Sequence, residues 1–265
     1  MTRIGDAFAA AKRRKRAAFV PYITAGDPHS GRTLDLASAL ARAGADVLEL
    51  GVPFSDPIAD GPTNQRAAER ALASGTTLSG VLDTVAELRR EHELPVVIFT
   101  YANPVVRYGL DRFADDAVAA GVDGVLFTDV PAEEMPPFAE ALDAAGLDII
   151  MLVTPTSDRR RMKDAAAFGG GFLYLVSRTG VTGPAGDLDA ELETNLRQAR
   201  KASRLPVAVG FGISTPEQVA RVARLADGVV VGSAIVSRIG ALGDCDELVQ
   251  EIEDFASTLA DACRR

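Results

Sequence analysis

Short runs of Val, Ile, Leu and Phe alternate along this chain with longer stretches in which apolar residues recur every three or four positions. The short runs read as strands buried on both faces and the longer ones as amphipathic helices, the pattern of βα units around a parallel sheet. Eight runs predict strands, over residues 18–23, 47–50, 96–100, 124–127, 148–153, 171–176, 206–210 and 228–231. Leu34, Ala37, Leu40 and Ala41 keep a helical period, as do Leu78, Val81, Leu82, Val85 and Leu88. The S-x-x-E spacing from Ser214 to Glu217, with Pro216 in the first turn, predicts a helix start.

Eight alternations without a linker or a compositional break favour a closed (β/α)8 TIM barrel over an open doubly wound sheet. The length of 265 residues suits one such domain, which typically takes roughly 250. Two segments exceed the minimal repeat. Residues 62–74 predict an extra helix after the second strand, and residues 1–16 an extra N-terminal helix across the barrel floor.

Hydrophobic residues make up 47% and charged residues 25% of the chain, values that exclude a disordered class. No apolar stretch approaches the roughly 18 residues of a spanning helix, and the N-terminus lacks the order of a signal peptide, so a cytoplasmic location is expected. A net charge of -9 argues against nucleic acid as a partner. The one basic block, Lys12 to Arg16, reads as the solvated end of the first helix, where cations suit the dipole. Cys245 and Cys263 lie far apart and read as reduced thiols, and neither His29 nor His92 has metal-ligand spacing.

Chemistry in such a barrel gathers where strands end at the C-terminal face. The second strand ends in Leu48-Glu49-Leu50, which puts a carboxyl group where a buried strand opens into the proline-stiffened loop that carries Asp56 and Asp60. Burial raises a carboxyl pKa toward neutrality and suits it to acid/base work, although a buried structural carboxylate paired with a partner would read the same way. Asp60, before Gly61, could equally be a turn residue bonding its own backbone. The last two strands end in Gly210-Phe211-Gly212 and Val231-Gly232-Ser233, where glycines and a following short helix can hold a phosphate. Arg178 to Pro184, rich in glycine, reads either as a passive loop or as a lid. Tyr22, Thr100, Tyr101, Phe127, Tyr174 and Phe211 stand at strand ends. Each could be core, and together they suit a flat aromatic ligand.

The segments AFVPYITAGDP, LELGVPFSDPIADGP, YANPV, TDVP, SRTGVTG, VGFGIS and GSAIV together resemble the tryptophan synthase alpha chain family over nearly the whole length. The resemblance implies a lyase that splits indole-3-glycerol phosphate into indole and glyceraldehyde 3-phosphate by retro-aldol cleavage, with no cofactor or metal. It implies Glu49 and Asp60 as the catalytic pair, with Thr182 orienting Asp60. Tyr22, Thr100, Phe127, Tyr174 and Phe211 would form the indole pocket, and Gly183, Gly212, Gly232 and Ser233 the phosphate site. It also implies a pyridoxal-phosphate-dependent beta chain as partner in an α2β2 assembly, touched by Pro53, Asp56, Tyr101, Asn103, Pro104 and Arg178. Pro184-Ala185-Gly186-Asp187 lacks the arginine common there in the family, and Tyr22 stands where Phe is common. The strand-borne lysine of indole-glycerol-phosphate synthase, another phosphate-binding barrel, is missing from the strand ends; a non-catalytic, partner-regulating subunit is the remaining alternative.

Overall fold

The computed structural model describes residues 2–157, 159–176, 185–210 and 212–264, the side chains of 185–189 excepted. Its strands are β1 Ala18–Thr24, β2 Leu48–Gly51, β3 Val96–Thr100, β4 Gly124–Phe127, β5 Asp148–Ile149, β6 Met151–Val153, β7 Leu173–Val176, β8 Val207–Gly210 and β9 Gly228–Val231. They form one parallel sheet in the order β5-β4-β3-β2-β1-β9-β8-β7-β6. The two ends of that order are adjacent in the chain, joined by Ile150 alone, so the sheet closes on itself. The run 148–153, read as one strand, is divided there because the chain changes neighbours: β5 pairs with β4, β6 pairs with β7, and Ile150 N–H still donates to the Val125 carbonyl at 2.9 Å.

Two layers of core follow from the alternation of side chains along each strand. Val20, Val47, Val97, Leu126, Ile150, Phe172, Ala208 and Val230 fill the barrel interior. Phe19, Ile23, Leu50, Ile98, Val125 and Val229 face outward and pack against the surrounding helices through residues such as Leu36, Leu40, Val85 and Phe113. The helix Arg3–Arg13 lays Ile4, Phe8 and Ala11 against the interior set, with Phe8 stacked on Phe172 at 5.1 Å between ring centroids. It closes the floor of the barrel, leaving the C-terminal ends of the strands as the open mouth.

The predicted extra helix after the second strand is present as Pro62–Ala73, with Pro62 in its first turn. The helix Pro216–Ala223 starts one residue later than the S-x-x-E spacing suggested: Thr215 is the N-cap, in a capping box with Gln218. A Gln amide closes that box as well as a carboxylate does. Lys12 to Lys15 are solvated as expected, but Arg16 turns inward to the Asp46 carboxylate, which also accepts the Phe19 N–H at 2.8 Å. No helix among the described residues is long and apolar enough to cross a membrane.

Candidate active site

A cavity of about 370 Å³ opens at the C-terminal ends of the strands, walled by Tyr22, Glu49, Phe99, Leu152, Tyr174 and Val230, with Asp60, Asn64, Thr128, Gly212, Gly232 and Ser233 around its upper part. Glu49 enters it because β2 places every second side chain inward, in register with Tyr22 of β1 and Val97 of β3. The residue is 1% exposed and its Oε1 has no hydrogen-bond partner among the described residues. Burial pushes its pKa up from 4.5 to about 8. At neutral pH this carboxyl therefore holds a proton, the state a general acid requires.

Two tyrosines flank it. Burial raises the pKa of both Tyr22 and Tyr174; the charge on Asp60 raises that of Tyr22 further, and Glu49, once ionised, raises that of Tyr174. Glycine at the neighbouring strand ends makes room for them: a Cβ at Gly51 would lie 2.3 Å from the Tyr22 hydroxyl, and one at Gly210 would lie 2.2 Å from that of Tyr174. Tyr22 also meets the Phe99 ring edge-on at 5.0 Å.

Asp60 lies on the loop behind β2, just before the helix Pro62–Ala73. The Tyr101 hydroxyl donates to its Oδ2 at 2.8 Å and accepts the Ala59 N–H at 3.0 Å, so one side chain fixes both the loop backbone and the carboxylate. Phe54 braces that tyrosine at 5.1 Å between ring centroids. Burial raises the Asp60 pKa, while interactions with Tyr101 and Asn64 favour the ionised form and oppose the rise. The two carboxyl groups on this cavity thus differ in surroundings: Glu49 is desolvated without an opposing partner, whereas hydrogen bonding at Asp60 offsets part of the rise that burial causes.

Opposite them, the helix Ser233–Leu242 begins at the cavity wall. Gly232 is its N-cap and offers no side-chain cap, which leaves first-turn N–H groups free for an anion. Gly212 contributes backbone from the loop after β8 in a left-handed conformation, φ +74°. No Lys or Arg lines the cavity among the described residues.

The structure moves two of the expected pocket residues. Thr100 and Phe127 face away from the cavity, because in β3 and β4 the inward positions are Val97, Phe99 and Leu126. Phe127 instead packs on Phe138 in the outer layer at 4.9 Å, and the Thr100 hydroxyl bonds the Tyr101 carbonyl at 3.1 Å. Phe99, Leu152, Val176 and Thr128 take their place on the wall. Among the expected partner-contact residues, Pro53 and Tyr101 are buried within the loop packing, whereas Asp56 and Asn103 are exposed and Pro104 is half-buried. Two exposed apolar side chains stand out beside them, Ile58 at 87% and Val106 at 59% exposure. Arg178, Thr182, Gly183 and Phe211 lie outside the described residues. His29 caps a short 3-10 turn, its Nδ1 accepting the Gly31 N–H.

A closed (β/α)8 barrel with a protonated buried carboxyl and a hydrogen-bonded carboxylate on one apolar cavity belongs to the acid/base enzymes of that fold. Residues 8–264 match the family described as tryptophan synthase alpha chain. A tryptophan synthase alpha chain of Geobacter sulfurreducens is 51% identical over 99% of both chains, and one of Phenylobacterium zucineum is 49% identical over 97% of this chain and 95% of its own. The crystal structure of the alpha chain from Legionella pneumophila superposes with a TM-score of 0.91 at 40% identity, covering 99% of this chain and 97% of that one. A chain of the tryptophan synthase of Mycobacterium tuberculosis superposes at 0.90 and 32% identity, covering 100% and 99%. The chain belongs to the tryptophan synthase alpha chain family, the lyases that cleave indole-3-glycerol phosphate.

Proposed function

We propose that Glu49 and Asp60 carry the cleavage of indole-3-glycerol phosphate in this chain, and that the observation supporting this best is the buried Glu49 carboxyl with a free Oε1 on the wall of an apolar cavity. Glu49, protonated at neutral pH, gives its proton to indole C3, and the ring nitrogen takes up positive charge. Asp60 accepts the indole N–H and stabilises that charge. The Glu49 carboxylate then removes the proton of the side-chain hydroxyl next to the breaking bond. The carbon–carbon bond cleaves, its electron pair returns to the ring, and indole and an aldehyde leave with Glu49 protonated again. Tyr22, Phe99, Leu152 and Tyr174 supply the apolar walls for the indole ring. Loss of turnover on changing either carboxyl, developed below, tests this assignment.

The substrate phosphate is assigned to the start of the helix Ser233–Leu242, with Gly212, Gly232 and Ser233 around it. Ser233→Asp puts a carboxylate at the first position of that helix, where a negative charge favours the helix itself. The expected result is an unchanged or raised Tm together with at least about a tenfold loss of affinity for glycerol phosphate, through repulsion of one anion by another. Unchanged affinity would remove the phosphate from this place.

A beta chain is the partner this reading implies, in an α2β2 assembly that receives the indole. The exposed Asp56 and Ile58 stand on the loop after β2 and the exposed Asn103 and Val106 on the helix Ala102–Tyr108, whose N-cap Tyr101 bonds both Ala59 and Asp60 of that loop. Docking there has a route to the catalytic carboxylate. Addition of a cognate beta chain is expected to raise cleavage at least about tenfold, a coupling of about 1.4 kcal/mol. A stable complex without stimulation would refute the coupling and leave the lyase assignment standing.

A further inference from the structure

Gln65 follows Asn64 in the helix Pro62–Ala73; it is half-buried and does not line the cavity. Its Nε2 donates to the Asp60 carbonyl at 3.0 Å and to the Pro57 carbonyl at 3.4 Å. Those bonds serve no need of the helix. The groups that a helix start leaves unpaired are N–H donors, which call for an acceptor, and the N-cap Gly61 supplies none. Gln65 instead turns its donor end back onto the preceding turn, where the Asp60 N–H closes on the Pro57 carbonyl at 3.0 Å. Ser55, Asp56, Ile58 and Ala59 are exposed there, so apolar packing does little to fix this stretch. Hydrogen bonds at its end decide where Asp60 stands.

We propose that Gln65 is a positioning residue for the cleavage, its amide fixing the Asp60 peptide carbonyl and so the direction in which the Asp60 carboxylate leaves the main chain toward the indole N–H. Tyr101 holds the same residue from the other side, through the Ala59 N–H and the Asp60 Oδ2. One grip comes from the end of β3 and the other from the helix that exceeds the minimal barrel repeat. Accuracy matters here, because misplacing a reacting group by about 1 Å can cost roughly 10²-fold in rate. The inference rests on the reading of Asp60 as the partner of the indole nitrogen.

Gln65→Met keeps the length of the side chain and its helical propensity and removes the donor. Its kcat is expected to fall about tenfold or more, while affinity for glycerol phosphate stays within about twofold, because the phosphate is assigned to other loops. Gln65→Glu keeps the shape, turns an acceptor toward both carbonyls and adds a charge that suits a helix near its start. It should therefore match the native Tm and lose more turnover than Gln65→Met. A structural role would show in Tm and leave the kcat of the folded enzyme in place. Both substitutions are then repeated in the Asp60→Asn background. There each is expected to lower kcat by no more than about twofold further, since residues that act as a unit are not additive. Native kcat in both single variants, or an equal fold-loss with and without the Asp60 carboxylate, overturns the proposal. Native turnover in Asp60→Asn alone refutes the reading of Asp60, and the proposal with it.

Discussion

Glu49→Gln is expected to lower turnover of indole-3-glycerol phosphate by at least the roughly 10²–10⁴-fold that a general acid/base contributes, with substrate still bound. The amide keeps the size of the side chain and cannot exchange a proton. Native activity should also fall as pH rises through about 8, because that is where the buried carboxyl loses the proton it must deliver. The same group makes the variant more stable than the native chain at alkaline pH. A carboxyl whose pKa is 4.5 when unfolded and about 8 when folded binds its proton more tightly in the folded state. Stability therefore declines as pH climbs through that window, and the penalty is complete above it. Glu49→Gln escapes it, so its Tm advantage should be absent near pH 4 and full above pH 8, as checked by thermal denaturation across that range. Near-native turnover, or a Tm difference independent of pH, would show that Glu49 is neither the acid nor desolvated.

Asp60→Asn is expected to reduce turnover by a similar order, roughly 10²-fold or more, since removing one preorganised charge-stabilising group costs that much in other enzymes. An amide can still meet the Tyr101 hydroxyl, so the loop should keep its place and Tm should change little. It cannot offer a negative charge to the indole nitrogen as C3 is protonated. Initial rates at saturating substrate measure the effect, and unchanged rates would return Asp60 to the role of a turn residue.

The barrel was legible because its strands are short apolar runs and its helices keep their period, and the bounds of β3, β4 and β9 agree with that reading. Glu49 was legible for a related reason, being a charged residue inside an apolar run. The wall of the cavity was not. A parallel strand buried on both faces carries apolar residues at every position, so Phe99 and Thr100, or Phe127 and Thr128, cannot be sorted into inward and outward by pattern. The register of the closed sheet decides, and it sends Phe99 and Thr128 to the cavity and Thr100 and Phe127 to the helices. Gln65 was hidden because a polar residue near a helix start is unremarkable until its amide is seen bonded to the carbonyls of Pro57 and Asp60. Pro53 and Tyr101 look like surface residues in a loop sequence, yet they pack inward and leave Ile58 and Val106 to face solvent.

The most direct test is to incubate the purified chain with indole-3-glycerol phosphate and follow indole and glyceraldehyde 3-phosphate together, with and without a cognate beta chain and with Glu49→Gln as the control. Equimolar release of the two products, raised by the beta chain and abolished in the variant, is the predicted result. No release of indole under either condition, or equal release by Glu49→Gln, would contradict it.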